Sequence, residues 1–364
     1  MKTLKSLPID DGFRMPGEFE AHSGCILIWP FRGDSWAYGA VAVRKVFKEL
    51  VCLISESEEV TVCAPPEEFD NARSYLPDTI KLVSVPLDDS WARDYAPTFV
   101  KNDAGSLRGI NWQFNAWGGM VDGLYYPWDK DDALAPFLCE HIGVDMYDAH
   151  HFVLEGGAIH SDGEGTIIVT ESCLLSKGRN PHLDKDEIED QLIKYLGAKK
   201  VIWIPYGIYL DETNEHVDNI CAFTKPGQVV LAWTDNKDDP QYAMSLASRK
   251  ALEEATDAKG RKLDIILLPL PKPVCITAEE CKGLDLFNGE PTRIEGDRLA
   301  ASYANFYIAN DTVIVPGFDD PNDEVARQII SGVFPNRKVV TLQSREILIG
   351  GGNIHCITQQ IPKA

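Results

Sequence analysis

This 364-residue chain is short of several things, and each shortage excludes something. No apolar run approaches the roughly 18 residues that suggest a membrane span. The opening Met1-Lys2-Thr3-Leu4-Lys5 leads straight into polar residues and lacks the apolar centre of a signal peptide. The nine cysteines form no CxxC pair and no even framework. That pattern predicts reduced thiols in a cytoplasmic protein, not disulfide staples. Basic residues are scarce: 35 Lys and Arg stand against 56 Asp and Glu, a formal net charge of −21. Such a surface argues against nucleic acid and anionic membranes as partners. It suits a cationic small-molecule substrate drawn in by the field, and equally a protein kept soluble by its acids. No low-complexity tract and no linker is visible, and the length allows one large domain or two ordinary ones.

What is present is a repeat of strand, tight turn and strand. Thr98-Phe99-Val100 runs through Lys101-Asn102-Asp103-Ala104-Gly105 into Leu107 to Trp112. Ala158-Ile159-His160 runs through Ser161 to Gly165 into Thr166 to Thr170. Ile220 to Phe223 turns at Lys225-Pro226-Gly227 into Val229 to Trp233. Asn305 to Ala309 turns at Asn310-Asp311 into Val313 to Val315. Apolar or alternating runs around Gly, Asn, Asp and Pro are hairpin signals. Between them lie helices: Val43, Val46, Phe47, Leu50, Val51 and Ile54 fall at helical spacing. Asp184 with Glu187 reads as an N-cap and its N3 acid, and Gly197 as the stop. Asp239-Pro240 opens another helix, and Asp323 to Phe334 reads as one more. Strands over Lys199 to Ile204 and Leu263 to Leu268 follow the helices. Repetition of one unit suggests a radial or solenoid architecture. A fifth hairpin forms if the stretch around Ile354-Ile357 pairs with Cys25 to Trp29, closing a ring with the chain ends joined.

A polar cluster precedes each hairpin: Trp91-Ala92-Arg93-Asp94, Glu155-Gly156-Gly157, and Asn214-Glu215-His216-Val217-Asp218. The closing segment carries Gly350-Gly351-Gly352 and then Cys356. Around an axis, equivalent positions would converge, bringing Asp94, Glu155, His216, Asp218 and Cys356 to one centre. Each alone has an ordinary structural explanation, and Cys356 alone could be an inert thiol on a closing strand. Their shared phase favours a site. Cysteine with histidine makes a nucleophile and general acid/base pair, and a carboxylate such as Glu155 can orient the imidazole. Two further carboxylates have no part in a cysteine protease, whose oxyanion needs donors. They suit a planar cation, because each accepts paired hydrogen bonds from a guanidinium. Trp91 and Trp117 wall such a site or simply pack the core. Gly351 and Gly352 would let backbone approach a ligand.

On these motifs the chain resembles the agmatine deiminases of the guanidino-modifying, amidinotransferase-like superfamily. The resemblance runs nearly end to end. It takes in Asp11-Gly12-Phe13-Arg14-Met15-Pro16-Gly17-Glu18-Phe19-Glu20, Trp91 to Asp94, Phe114 to Gly119, Trp128-Asp129, Leu154 to Gly157, Glu212-Thr213-Asn214, His216 to Asp218 and Gly350 to Gln360. It implies an α/β fold: a five-bladed, pseudo-fivefold propeller of ββαβ units in a single catalytic domain over 1–364. It implies hydrolysis of agmatine to N-carbamoylputrescine and ammonia, with no metal and no other cofactor, in a homo-oligomer such as a dimer or tetramer. Residue by residue, it makes Cys356 the nucleophile and His216 the acid/base, with Glu155 supporting His216 and Asp94 and Asp218 binding the guanidinium. Two departures bear on substrate fine-tuning: Tyr95-Ala96-Pro97 replaces a smaller run, and Glu215 stands where the family usually has glycine. An acid there is expected to raise the His216 pKa or alter the turn. Rival readings are an arginine deiminase using Arg32, Arg179 or Arg298 for the α-carboxylate, an amidinotransferase, a metal-dependent ureohydrolase (His150-His151 being thin support) and a non-catalytic polyamine-binding propeller.

Overall fold

Five sheets of three or four strands, and one two-stranded hairpin, make up the computed structural model, which describes residues 1–364. Four of the five sheets contain an expected hairpin, antiparallel, followed by a helix and a parallel strand. Thr98–Lys101 pairs with Leu107–Gln113, which Asp145–Val153 joins in parallel, and Thr3–Leu4 adds at the edge. His160–Ser161 and Thr166–Thr170 are joined by Lys200–Ile204. Cys221–Lys225 and Gln228–Trp233 are joined by Asp264–Pro269. Tyr307–Ile308 and Thr312–Gly317 are joined by Lys338–Gln343. The turn after Cys221–Lys225 uses Gly227 at φ 77°, a backbone region in which a Cβ is strained.

Local signals account for the crossover helices. In Lys185–Leu196, Asp184 accepts from the Glu187 N–H, and the Glu187 carboxylate accepts from the Asp184 N–H, both at 2.9 Å. This satisfies two donors that a helix start leaves open. Ile188, Leu192, Tyr195 and Leu196 form its buried stripe, and Gly197 ends it at φ 61°. Val41–Ser55 buries Val43, Phe47, Leu50, Val51 and Ile54 in the same way.

The fifth sheet joins the chain ends, with a shift from expectation. The strand is Thr358–Pro362, not Ile354–Ile357, and it pairs antiparallel with His22–Ile28. Residues 354–357 form a tight turn instead, where the Thr358 hydroxyl donates to the Ile354 and His355 carbonyls at 2.9 and 3.0 Å. Cys356 therefore sits on a turn anchored to a strand whose partners Cys25, Ile26, Leu27 and Ile28 are fully buried. Burying those side chains stabilises the tail at about 25 cal/mol per Å² of apolar surface, so it is part of the core.

The stretch between Asp264–Pro269 and Tyr307–Ile308 shows no clear helical or strand period in its sequence. It contains the short helix Ala278–Gly283 and the hairpin of Leu286–Phe287 with Glu290–Pro291. A signal was there: Asn288-Gly289 occupies the two-residue turn with φ of 53° and 87°, the preferred chemistry for that turn type.

Candidate active site

Each sheet is entered through a short turn, and the turns carry the polar residues. Ala92–Tyr95 is one helical turn holding Arg93 and Asp94. Gly156–Ala158 is a 3-10 turn directly after Glu155, and Val217–Asn219 another directly after His216. Asn305 precedes Tyr307–Ile308, and Cys356 precedes Thr358–Pro362. Equal phase in the repeat brings these side chains into one buried cluster. Cys356 Sγ lies 3.6 Å from Asp218 Oδ2 and 3.2 Å from Asn305 Nδ2. His216 Nδ1 is 3.8 Å from Asp94 Oδ1, and Nε2 is 3.8 Å from Glu155 Oε2. The Gly157 N–H and the Trp117 indole each donate to Asp94 at 2.9 Å. A Cβ at Gly157 would stand 2.5 Å from His216 Nδ1, 2.9 Å from Asp94 Oδ1 and 3.0 Å from Asp218 Oδ2. Only the absence of a side chain there lets the three groups converge.

Asn305 opens the fourth hairpin in the same phase as Asp94 and His216, but it carries no charge to mark it in the sequence as a site residue. It is fully buried, with Nδ2 donating to Asn219 Oδ1 at 2.9 Å and Oδ1 accepting from the His355 N–H at 2.9 Å. It thus ties the third sheet's turn to the cysteine turn.

The charges are arranged against a free thiolate. Burial, followed by the Asp218 and Asp94 charges, pushes the Cys356 thiol well above its ordinary value. Burial also pushes Asp94 up to about 6; His216 opposes this, and Asp218 and Glu155 add to it. Burial disfavours a charged His216, but Asp94, Cys173 and Glu155 outweigh it and hold the imidazole well above the usual histidine range. Burial likewise works against the Glu155 carboxylate, but Arg179 and His216 keep it below its ordinary value.

Arg179 organises the surroundings. Its Nε lies 2.7 Å from Glu155 Oε1, Nη2 donates to the Thr213 carbonyl at 2.8 Å, and Nη1 donates to Asn214 Oδ1 at 2.7 Å and to the Trp117 carbonyl. It thereby clamps two strained stretches, Ala116-Trp117 at φ 53° and 63° and Asn214-Glu215 at 62° and 70°. Such left-handed non-glycine residues persist only when the surroundings over-determine them. The expected influence of Glu215 resolves the same way. Its carboxylate accepts from the Gly207 N–H at 2.9 Å, while the carboxylates that chiefly raise His216 are Asp94 and Glu155. Its effect is on the turn.

A cavity of about 240 Å³ reaches Asp94 and Cys356, while Glu155, His216 and Asp218 lie behind its lining. Trp91, Trp117, Tyr125, Phe287 and the backbone of Gly350, Gly351 and Gly352 form the walls. A Cβ at Gly352 would come 2.5 Å from the Trp91 ring and 3.0 Å from Cys356 Sγ. Five carboxylates face the space, Asp34, Asp89, Asp94, Glu212 and Glu290, against two guanidinium groups, Arg32 and Arg293. Both are engaged. Arg32 bonds Asp34 and Asp89, and Arg293 forks onto Glu212 at 2.9 and 2.7 Å. Arg298 pairs with Asp239 and does not line the cavity. His150 pairs with Asp132 at an exposed position, and His151 faces Gln191, so neither joins His216.

The model of the Porphyromonas-type peptidyl-arginine deiminase family matches residues 14–362. A Listeria monocytogenes protein provisionally named agmatine deiminase 1 is 55% identical over 363 residues, covering 100% of both chains. The solved agmatine deiminase of Enterococcus faecalis superposes with a TM-score of 0.97 at 45% identity, covering 100% of both chains. An amidinotransferase of Microseira wollei shares the fold alone, with a TM-score of 0.52 at 13% identity over 97% of each chain. The fold is therefore a mixed α/β fold that this chain shares with that amidinotransferase. Within it, this chain belongs to the Porphyromonas-type peptidyl-arginine deiminase family.

Proposed function

We infer that this chain is an agmatine deiminase, a hydrolase that takes agmatine and water to N-carbamoylputrescine and ammonia. The observation that carries this reading is a buried cysteine beside Asp94 and Asp218, under an acidic cavity whose two arginines are already engaged. Asp94 on the lining and Asp218 just behind it beside Cys356 offer two acids to a guanidinium, and neither arginine of the lining is free for an α-carboxylate. Such a cavity suits agmatine, with a charge at each end, over arginine.

In this reading Asp94 and Asp218 bind the guanidinium. Its arrival adds a positive charge where two acids had opposed ionisation, so the Cys356 proton leaves to solvent. The thiolate attacks the central carbon and forms a tetrahedral adduct. Protonated His216, steadied by Glu155, gives its proton to an amino group, and ammonia departs. An S-alkylthiouronium cation remains on Cys356. Neutral His216 then takes a proton from water as the oxygen bonds to that carbon. The C–S bond breaks, the thiolate recovers a proton from the protonated urea, and the ureido product leaves. Trp91 and Trp117 wall the alkyl chain, and Gly351 and Gly352 admit it past the cysteine turn. No step requires a metal or an organic cofactor. Five sheets of like topology, each sending its turn to the site, support a five-bladed propeller of ββαβ units and one catalytic domain over 1–364. A cytoplasmic homo-oligomer, dimer or tetramer, completes the reading.

The test is product analysis from agmatine and from L-arginine, with and without a chelator. N-Carbamoylputrescine and ammonia from agmatine alone, unaffected by the chelator, is the expected result. Turnover of arginine instead would move the substrate. Urea would point to a ureohydrolase, and guanidino transfer to an added amine would point to an amidinotransferase.

A pH dependence follows from Asp94. It must be ionised to bind the cation, and burial pushes it up to about 6. Protonation therefore removes a substrate ligand as pH falls through that value. Because kcat/KM reports groups of the free enzyme, its acid limb should lie near pH 6. A profile flat down to pH 5 would contradict this role for Asp94.

A further inference from the structure

His355, the residue before the nucleophile, has no part in the steps above, yet its ring bridges two acids. Nδ1 lies 2.8 Å from Asp218 Oδ2, and Nε2 lies 2.9 and 3.0 Å from the two oxygens of Glu18. All three residues are less than a twentieth exposed. A neutral imidazole carries one N–H, and carboxylates at hydrogen-bond distance from both nitrogens call for two. The other charged or titratable groups around this chain come from separate elements. Arg93 Nη1 is 3.1 Å from Glu18, and Arg93 Nε donates to the His355 carbonyl at 3.4 Å. His160 Nε2 is 3.6 Å from Glu18, and its ring stacks on His355 at 6.2 Å. Cys356 contacts the same Asp218 oxygen as His355. Asp94 and His216 meet Asp218 around Gly157. Asp218 Oδ1 is buried just behind the cavity lining and has no hydrogen-bond partner, so this acceptor is not already taken by the protein.

We propose that His355 is a positioning residue for the reaction: braced by Glu18, it holds Asp218 as an oriented carboxylate with one oxygen free for the substrate guanidinium. The proposal rests on the reading of Asp218 as a guanidinium ligand. The physical need is clear from the neighbours. Asp94, Glu155 and Asp218 share a buried site, and like charges in low dielectric cannot all stay ionised without nearby cations. Burial raises the Asp218 pKa, yet His355, His216 and Arg93 bring it below the ordinary carboxylate value. Burial and Arg93 both oppose a charge on His355, and Glu18 and Asp218 overcome them. Arg93 and His355 thus balance Glu18 and Asp218. Glu18 lies in the Phe13 to Glu20 stretch, which gives a segment far from the cysteine in sequence a role in substrate binding.

Three variants and one measurement on the intact enzyme test it. Asparagine at 355 places an uncharged N–H donor near the Nδ1 position and cannot reach Glu18. His355→Asn and Glu18→Gln should each raise KM for agmatine by about 10- to 100-fold. They should also move the acid limb of kcat/KM to higher pH, because with a neighbouring cation lost the coupled acids Asp94 and Asp218 hold a proton more tightly. A merely structural role would lower kcat through loss of active enzyme, with KM and the acid limb in place, and that result would overturn the proposal. Asp218→Asn separates the two levels of inference. If it binds agmatine as well as wild type, Asp218 is not the guanidinium ligand. If it loses binding while His355→Asn keeps a normal KM and acid limb, the guanidinium reading stands and the His355 role falls. In unsubstituted enzyme with 15N-labelled histidine, both His355 ring nitrogens should be protonated at neutral pH. A neutral ring there overturns the proposal even if the variants fail to fold.

Discussion

Cys356→Ser should lose agmatine turnover by at least about 10⁴-fold while still folding and binding substrate. The reason lies in the surroundings more than in the atom. Burial and the flanking Asp218 and Asp94 already oppose ionisation of the thiol. In the proposed mechanism the charge of the bound guanidinium reverses that balance. A serine hydroxyl, whose intrinsic acidity is several pK units weaker, stays protonated under the same field. The turn is held by contacts that do not involve sulfur, among them the Arg93 N–H to the Cys356 carbonyl at 3.1 Å and the Thr358 hydroxyl to two carbonyls. The variant should therefore keep its melting temperature, and calorimetry should detect agmatine binding to it. Mass spectrometry of wild type quenched during turnover should show the amidino adduct on Cys356, and the variant should show none. Turnover above about a hundredth of wild type would mean that Cys356 is not the nucleophile.

His216→Ala should lower kcat by about 10²- to 10⁴-fold, the usual worth of a placed general acid and base. Its ring stands between Asp94 and Glu155, one on each nitrogen at 3.8 Å. Those acids favour its charged form, so in the proposed mechanism it donates to the departing nitrogen without first acquiring a proton. Removing it strands two buried carboxylates, and Asp94 should then take up a proton more readily. KM should rise along with the loss in kcat. Single-turnover ammonia release isolates the first half of the reaction, and it should slow as much as the steady state or more. A change smaller than tenfold in that step would remove His216 from the acid role and leave Asp94 or solvent to supply the proton.

Much of the fold and part of the site could be read along the chain. The four hairpins followed from period and turn chemistry, and the Asp184–Glu187 capping box was visible as two letters three apart. These features depend on neighbours within a few residues, which is why sequence carries them. Asp94, Glu155, His216, Asp218 and Cys356 could be grouped because a repeated unit gives each the same phase. Other groups could not be placed that way. Asn305 shares the phase but carries no charge to draw notice. Arg179 lies in a loop outside the repeat's polar clusters and meets Glu155, Trp117 and Asn214 only after folding. Phe287, Glu290 and Arg293 come from an insertion with little periodic pattern.

Composition and spacing by themselves determined an acidic protein with few basic residues, a repeated ββαβ unit and a cysteine held beside a glycine run. Tertiary structure decided what those residues became. It placed the tail strand against His22–Ile28, so that a terminal turn is rigid enough to carry Cys356. It set Gly157 where any side chain would push His216, Asp94 and Asp218 apart. It paired Arg32 and Arg293 with acids, removing the cations that a carboxylate substrate would need. The physical reason is that a pKa, a free hydrogen-bond acceptor and a cavity charge depend on distances between segments far apart in the chain, and only packing sets those distances.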